Sequence, residues 1–137
     1  MEVDLALLAD AATIDSAGKL NILGVFDRLA TSSFPTRHPR LCLVVRFSAG
    51  VHEVGRHKVE IVLKDPEGGE VVRIDGEMNL SSGVRGVSSG VLVPHILNMD
   101  GLVFAVPGRY AFDVRVDGEH HVSVPLSVEG PTRTVQA

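Results

Sequence analysis

Hydrophobic and polar residues alternate along much of this chain, and the alternation predicts β-strands. In the clearest case, 108–116, one face carries Tyr110, Phe112, Val114 and Val116, and smaller or polar residues form the other. A period of two residues places successive side chains on opposite sides of a strand, whereas a helix has a period of 3.6. Since no segment sustains the longer period, the pattern predicts strands and no helix.

Turn-forming residues separate the apolar segments at regular spacing. Asp117-Gly118 is typical of a two-residue hairpin loop, and 65–69 combines a proline that presets φ with two glycines that accept positive φ. Pro94 and Pro125 lack the N–H that a central strand donates, so they indicate edge strands or bulges. The predicted strands are two within 5–29, then 41–47, 57–64, 70–80, 90–97, 108–116 and 119–128.

Three other segments lack this alternation. The segment 30–40 contains two prolines and several hydroxyl residues, 81–89 combines glycines with serines, and 98–107 contains the turn residues Asp100-Gly101. We predict loops at 30–40 and 81–89, and a crossover between strands at 98–107.

About eight short strands with turns at this spacing are typical of two packed sheets. We predict an all-β fold, an antiparallel β-sandwich of seven to nine strands with Ig-like or related Greek-key topology. One domain spans 1–129, and 130–137 form a flexible C-terminal tail. Tyr110 near a strand start resembles the corner where a chain passes between sheets, so we expect its hydroxyl to bond to backbone within 102–108.

The opening segment, 5–29, is predicted to be a hairpin that turns at 15–19. Its strands carry adjacent apolar residues such as Leu7-Leu8, whereas a strand with one solvated face would alternate. A two-layer sandwich covers only one face of each sheet, so this hairpin needs a further cover. We expect a homodimer through the N-terminal hairpin or an edge strand, with the 30–40 loop as the alternative cover.

Composition and charge exclude several classes of partner. The 137 residues carry a net charge of −4 with scattered Lys and Arg, which argues against nucleic acid and against an anionic membrane surface. Cys42 is the only cysteine, so no intrachain disulfide can form. No apolar run approaches the ~18 residues of a membrane span, and we expect a soluble, cytoplasmic protein with an aliphatic core.

Six histidines raise the question of a metal site. His52 and His57 are five residues apart, while the adjacent His120 and His121 point to opposite faces of a strand. No Cys pair and no His-Glu-x-x-His pattern accompanies them. We therefore predict no metal or cofactor, and the alternative is a zinc or iron site built from His52, His57 and a distant carboxylate.

Two acidic residues, Asp10 and Asp27, lie inside apolar strands, where an unpaired charge is costly. Arg28 and Arg46 are the expected partners. The structural interpretation is an ion pair or a turn contact, and the functional alternative is a binding groove.

No residue set has the pattern of a catalytic site. There is no Gly-x-Ser-x-Gly elbow and no phosphate-binding loop, and Cys42 lies in an almost continuous apolar strand. The serines of the 81–89 loop, Ser81, Ser82, Ser88 and Ser89, are typical of a flexible linker. We predict a protein that is not an enzyme, with no catalytic residues.

The N-terminal block resembles a family of small uncharacterised bacterial proteins, a domain of unknown function. Its pattern is D-x-x-x-L-x-D-A-A-x-x-x-x-x-G-K-L-x-I-L-G-x-F-D, matched here from Asp4 to Asp27, and a later P-G-x-Y-x-F motif is matched from Pro107 to Phe112. The resemblance implies a compact β-sandwich and no particular activity.

These observations predict a non-catalytic binding or assembly module that self-associates and binds no nucleic acid and no membrane, with an unidentified protein as a further candidate partner. The alternative is a small-molecule-binding protein or enzyme with its site near the 81–89 loop.

Overall fold

Nine strands in two sheets make up the part of the chain that the structure, a computed structural model, describes: residues 1–50, 52–80 and 91–131. The strands are β1 (Glu2–Ile14), β2 (Leu20–Phe26), β3 (Arg28–Ala30), β4 (Thr36–Ala49), β5 (Gly55–Lys64), β6 (Glu70–Leu80), β7 (Val91–Phe104), β8 (Gly108–Val116) and β9 (Glu119–Glu129). The predicted 81–89 loop and most of the predicted tail, 132–137, lie outside the described residues.

Four strands form one sheet in the order β2-β1-β4-β7, and five form the other in the order β3-β9-β8-β5-β6. Neighbouring strands are antiparallel except β3 and β9, which are parallel. In the described residues the prediction of an all-β fold of seven to nine strands is thereby confirmed. The arrangement is sandwich-like, and the parallel β3–β9 pair departs from the predicted, fully antiparallel sandwich.

The core lies between the sheets and is filled by alternate residues of facing strands. From β8, Tyr110, Phe112 and Val114 are at most 2% exposed, on the face that the sequence pattern predicts. Burying an aliphatic or aromatic side chain of this size contributes roughly 1.5–3 kcal/mol. The four-stranded sheet supplies the opposing layer, chiefly Leu8, Leu41, Leu43, Val45 and Phe47.

The central strand β4 is buried on both of its faces. Its residues from Leu41 to Val45 are all at most 1% exposed, with the even-numbered Cys42 and Val44 on the outer face. The apolar run 41–47 predicts this central position, and β4 lies between β1 and β7.

Two predicted connections are wrong, because β4 and β7 extend through them. Their antiparallel pairing runs from Thr36 opposite Phe104 to Ala49 opposite Val91, so most of the predicted 30–40 loop and 98–107 crossover is strand. Pro39 is accommodated because β1 pairs with β4 only from Cys42 onward and leaves that side of the strand free. The three-residue β3 is too short to show a pattern.

The two strand prolines lie where a missing N–H is tolerated. Pro94 is in β7, an edge strand of the four-stranded sheet, as predicted. Pro125 is in β9, whose second neighbour β3 pairs only with Ser127–Glu129, so Pro125 lies beyond that neighbour's reach.

Candidate functional site

The β1–β2 hairpin projects beyond the sheet to which it belongs. Strand β1 pairs with β4 only as far as Ala9 opposite Cys42, yet its pairing with β2 continues to Ile14 opposite Leu20. Residues 10–24, which we call the arm, are therefore a two-stranded ribbon. Asp15 closes its turn by accepting hydrogen bonds from the backbone N–H groups of Ala17 and Lys19, both at 2.9 Å.

The arm is apolar but lies outside the core. Leu23 is 72% exposed and Ile14 is 45% exposed, and neighbouring Val25 is 62% exposed. Among the described residues, the core cluster and the side chains packed against it include no residue of the arm. The 30–40 segment leaves Leu23 and Val25 exposed, so the alternative in which that loop covers the hairpin is wrong.

The acidic residues of the hairpin are not paired as predicted. Asp10 is exposed beside Gly24, where an added Cβ would collide with the Oδ2 atom of Asp10. Arg46 instead pairs with Asp4, its Nε atom 2.9 Å from Oδ1. The expected ion-pair roles of Asp10 and Asp27 are therefore wrong.

The remaining predicted partner, Arg28, pairs with Glu129 at 3.3 Å. Asp27 is exposed, and its backbone carbonyl accepts a hydrogen bond of 2.9 Å from the N–H of Ser127. The contact that fixes this residue is thus made by its backbone, at the junction of β2 and β3.

The outer face of the five-stranded sheet is charged and carries several ion pairs. Arg73 bonds to Glu60 at 2.9 Å and to Glu70 at 2.6 Å, and Lys64 Nζ lies 3.0 Å from Asp113 Oδ2. Exposed charged side chains are either hydrated or bound to a partner of opposite charge, so this face is stable in contact with solvent.

Asp113, Ser123 and His120 bring together the three residue types of a nucleophile triad, on the outer face of the five-stranded sheet. Ser123 Oγ donates to Asp113 Oδ1 at 2.5 Å, and His120 Nε2 is 2.9 Å from Ser123 Oγ. The serine proton is directed at the carboxylate, so His120 meets the hydroxyl as an N–H donor. In a triad the histidine instead accepts that proton, so this cluster holds β8 to β9 without activating Ser123.

Asp113 itself is 7% exposed. Its burial by itself favours the neutral acid, but hydrogen bonds from Ser123 and Lys64 outweigh that effect and hold the pKa of Asp113 below its ordinary value.

His57, in β5, contacts both the β4–β5 connection and the β8–β9 turn. Its Nδ1 lies 2.6 Å from Asp117 Oδ2, and its Nε2 lies 2.7 Å from the carbonyl oxygen of Glu53. Both partners accept, so both ring nitrogens donate and the imidazolium form is favoured. The Asp117 carboxylate, followed by the Glu53 carbonyl, raises the pKa of His57 above its ordinary value.

The metal alternative gains no geometric support. His57 has both nitrogens engaged, and His52 is exposed. Within residues 1–50, 52–80 and 91–131, no group of three or more His, Cys, Asp or Glu side chains is placed to hold a metal ion. Cys42 is fully buried, and this burial raises the pKa of its thiol.

Sequence reasoning missed a cavity between the sheets, bordered by His95 of β7 and Gly76 of β6. Two signals in the chain point to it. Gly76 interrupts the apolar alternation of β6 at an inward position, and His95 is a titratable residue on the inward side of β7.

These features define a small all-β domain with an aliphatic core, a projecting apolar arm and polar clusters that connect its strands. In the described residues no helix is long and apolar enough to cross a membrane. The chain belongs to a family of unknown function, DUF6941, whose model matches residues 4–129. The resemblance to an uncharacterised domain family is thereby confirmed. No curated protein matches the chain.

Proposed function

We propose that this protein is a non-catalytic assembly module that forms a symmetric homodimer through its β1–β2 arm. The observation that carries the proposal is the exposure of apolar side chains, above all Leu23 at 72%, on a ribbon that the core does not support. An isolated two-stranded hairpin is at best marginally stable in water. A second copy would cover the arm and remove this apolar surface from water.

Charge placement favours a second copy of the same arm as the occupant. Asp10 lies at the base of the arm and Lys19 at its tip, while the Asp15 carboxylate is engaged by its own turn. Two arms related by a twofold axis and packed antiparallel would place each base beside the partner's tip. Asp10 of one copy would then face Lys19 of the other, and the contact would be self-complementary.

The outer face of the five-stranded sheet is less suited to such a contact, because it carries charged side chains, several of which are paired within the chain. The proposal therefore predicts one kind of intermolecular contact, centred on the arm. The fraction of dimer is expected to rise with protein concentration.

Sedimentation velocity at micromolar concentrations tests this proposal. Wild-type protein is expected to show a dimer, and Leu23→Glu is expected to be monomeric and folded, since Leu23 takes no part in the core. Leu92→Glu is the matched control, because Leu92 is 52% exposed on β7, at the opposite edge of the same sheet. A monomeric wild type, or a Leu23→Glu variant that still dimerises, contradicts the proposal.

The same proposal extends to topology and location. Chain connections β4 to β5, β6 to β7 and β7 to β8 each pass between the two sheets, which supports a Greek-key or Ig-like arrangement. The single buried thiol suits a reducing compartment, and we place the assembly in the cytoplasm of a bacterial cell. The alternative site near the 81–89 loop lies outside the described residues.

A further inference from the structure

A cavity of about 70 Å³ lies between the two sheets, where the edge strands β6 and β7 face each other. Apolar side chains form most of its wall. The bordering residues include Phe47, Val59, Ile61, Gly76, His95 and Leu97. Glu77 directs its carboxylate away from the cavity, since it is 63% exposed and lies 3.5 Å from Arg56.

His95 brings an unsatisfied polar atom to this apolar wall. Its Nε2 atom is buried and has no hydrogen-bond partner in the described structure. The ring packs edge-on against Phe47, with centroids 5.5 Å apart and planes at 78°. Burial lowers the pKa of His95, so the neutral imidazole is favoured and Nε2 can donate or accept one bond. A buried nitrogen left unpaired costs free energy that a bound partner would recover.

Gly76 is the reason that the cavity has room. On β6, Ile74 and Met78 point into the core, and Gly76 occupies the inward position between them. Its φ is not positive, and a Cβ placed there would meet nothing within 4 Å. The backbone therefore does not require glycine, and a valine would fit the strand and fill the space. Gly76 therefore leaves space unfilled on β6, at the point where the opposite sheet places the unpaired imidazole of His95.

We propose that this cavity binds a small, predominantly apolar molecule with one uncharged hydrogen-bonding group, of the class of short aliphatic alcohols or undissociated carboxylic acids. A cavity of ~150 Å³ accepts benzene, so one of about half that volume accepts roughly three or four non-hydrogen atoms. The hydroxyl pairs with His95 Nε2, and the alkyl part contacts Val59, Ile61 and Leu97. An ordered water is less suited, because it needs two to four polar partners and this wall is mostly apolar.

Two probes separate the polar contact from the empty volume. Xenon fills apolar space without hydrogen bonding, and 1-propanol adds a hydroxyl to a three-carbon chain. Methyl chemical shifts of Ile61, Ile74 and Leu97 report binding of either probe to wild-type protein. The variants are His95→Phe, which removes the polar atom, His95→Gln, which keeps a donor and an acceptor, and Gly76→Val, which fills the cavity.

Both probes are expected to produce saturable shifts in the wild type and none in Gly76→Val. His95→Phe is expected to weaken 1-propanol binding about three- to tenfold, the factor for one net hydrogen bond, while xenon binding stays within about twofold. His95→Gln is expected to restore most of the alcohol affinity. If wild type and His95→Phe bind 1-propanol with equal affinity, the cavity is only an apolar void, and the proposal is overturned. The proposal is also overturned if neither probe changes the methyl chemical shifts and NMR still detects bound water next to the His95 ring.

Discussion

The Tyr110 hydroxyl donates a hydrogen bond of 2.7 Å to the carbonyl oxygen of Val106, four residues earlier in the chain. The ring is 2% exposed and packs edge-on against Phe104, with centroids 5.0 Å apart. Val106 lies in the connection between β7 and β8, where the chain passes from the four-stranded to the five-stranded sheet. The predicted corner is confirmed, and it fixes the path of this crossing.

Tyr110→Phe is expected to destabilise the fold by about 1 kcal/mol, because it removes one net hydrogen bond and keeps the ring packing. Chemical denaturation monitored by circular dichroism measures the loss. Tyr110→Leu should cost more, since the contact with Phe104 is also lost. A Tyr110→Phe variant as stable as wild type would show that the corner bond contributes nothing.

Strand positions were predictable wherever turn residues adjoin the strand ends. β6 and β8 have the predicted boundaries, 70–80 and 108–116. Turn-forming proline and glycine residues adjoin both strands and make these boundaries readable from the sequence. The ends of β4 and β7 were not predictable, since Pro39 and Gly101 are local strand breakers. Pairing between the two strands is a long-range interaction, and it overrides both local signals.

The candidate sites show the same division between local and long-range information. The apolar character of the arm is visible in the sequence, but its projection depends on where the pairing of β1 with β4 stops. Gly76 breaks a visible alternation, yet only the packing of the second sheet places His95 opposite it. Asp4 was not predicted as the partner of Arg46, because a shift in the β1–β4 register at that point is not readable from residue spacing.

Gly24→Ala is expected to destabilise the protein by about 1–2 kcal/mol. Gly24 has φ of +72°, a conformation that costs an L-residue with a side chain roughly this much. The new methyl group would also collide with the Asp10 carboxylate. Thermal or chemical denaturation of Gly24→Ala and of the double variant with Asp10→Ala separates the two causes, since Asp10→Ala removes the two closest atoms, Cγ and Oδ2, and leaves the backbone conformation of residue 24 unchanged.

Gly76→Ala is the control for this measurement, because its φ is not positive and its Cβ meets no neighbour. It is expected to be neutral or stabilising. Equal losses from the two glycine substitutions would contradict the role of backbone conformation at Gly24.

The His57 contacts predict a pH-dependent contribution to stability. The pKa of His57 is raised on folding, chiefly by Asp117, so its stabilisation is fully present below the unfolded value of about 6.5 and is lost as the pH rises through the folded value. Asp117 acts oppositely, because its lowered pKa gives stabilisation that is lost as the pH falls through its folded value. Glu53, Lys58 and His121 are the other ionisable neighbours.

Denaturation midpoints of wild type and His57→Gln, measured from pH 5 to pH 9, test this contribution. The difference between them is expected to be largest in mildly acidic solution and to shrink through the alkaline range. His52→Gln, at an exposed histidine in the same region, is the control for a histidine-to-glutamine change. A difference that is constant with pH would mean that the imidazole contributes only through its shape.

Asp113 is the most deeply buried carboxylate of the described chain, and its replacement distinguishes a paired charge from a packed side chain. It accepts hydrogen bonds from Ser123 and Lys64, and Val62 lies opposite it on β5. Asp113→Ala removes both hydrogen bonds, but Ser123 and Lys64 are exposed enough for water to replace the carboxylate, so a loss of about 1 kcal/mol in the free energy of unfolding is expected. A triple variant, Asp113→Leu with Lys64→Met and Ser123→Val, removes these three polar groups together. It should recover most of the loss, because apolar packing often replaces such a cluster at little cost.

Chemical denaturation of four proteins tests this prediction: the wild type, Asp113→Ala, the triple variant and Ser123→Val alone. A triple variant no more stable than Asp113→Ala would show that the cluster is needed for the pairing of β8 with β9 and not only for its own neutrality.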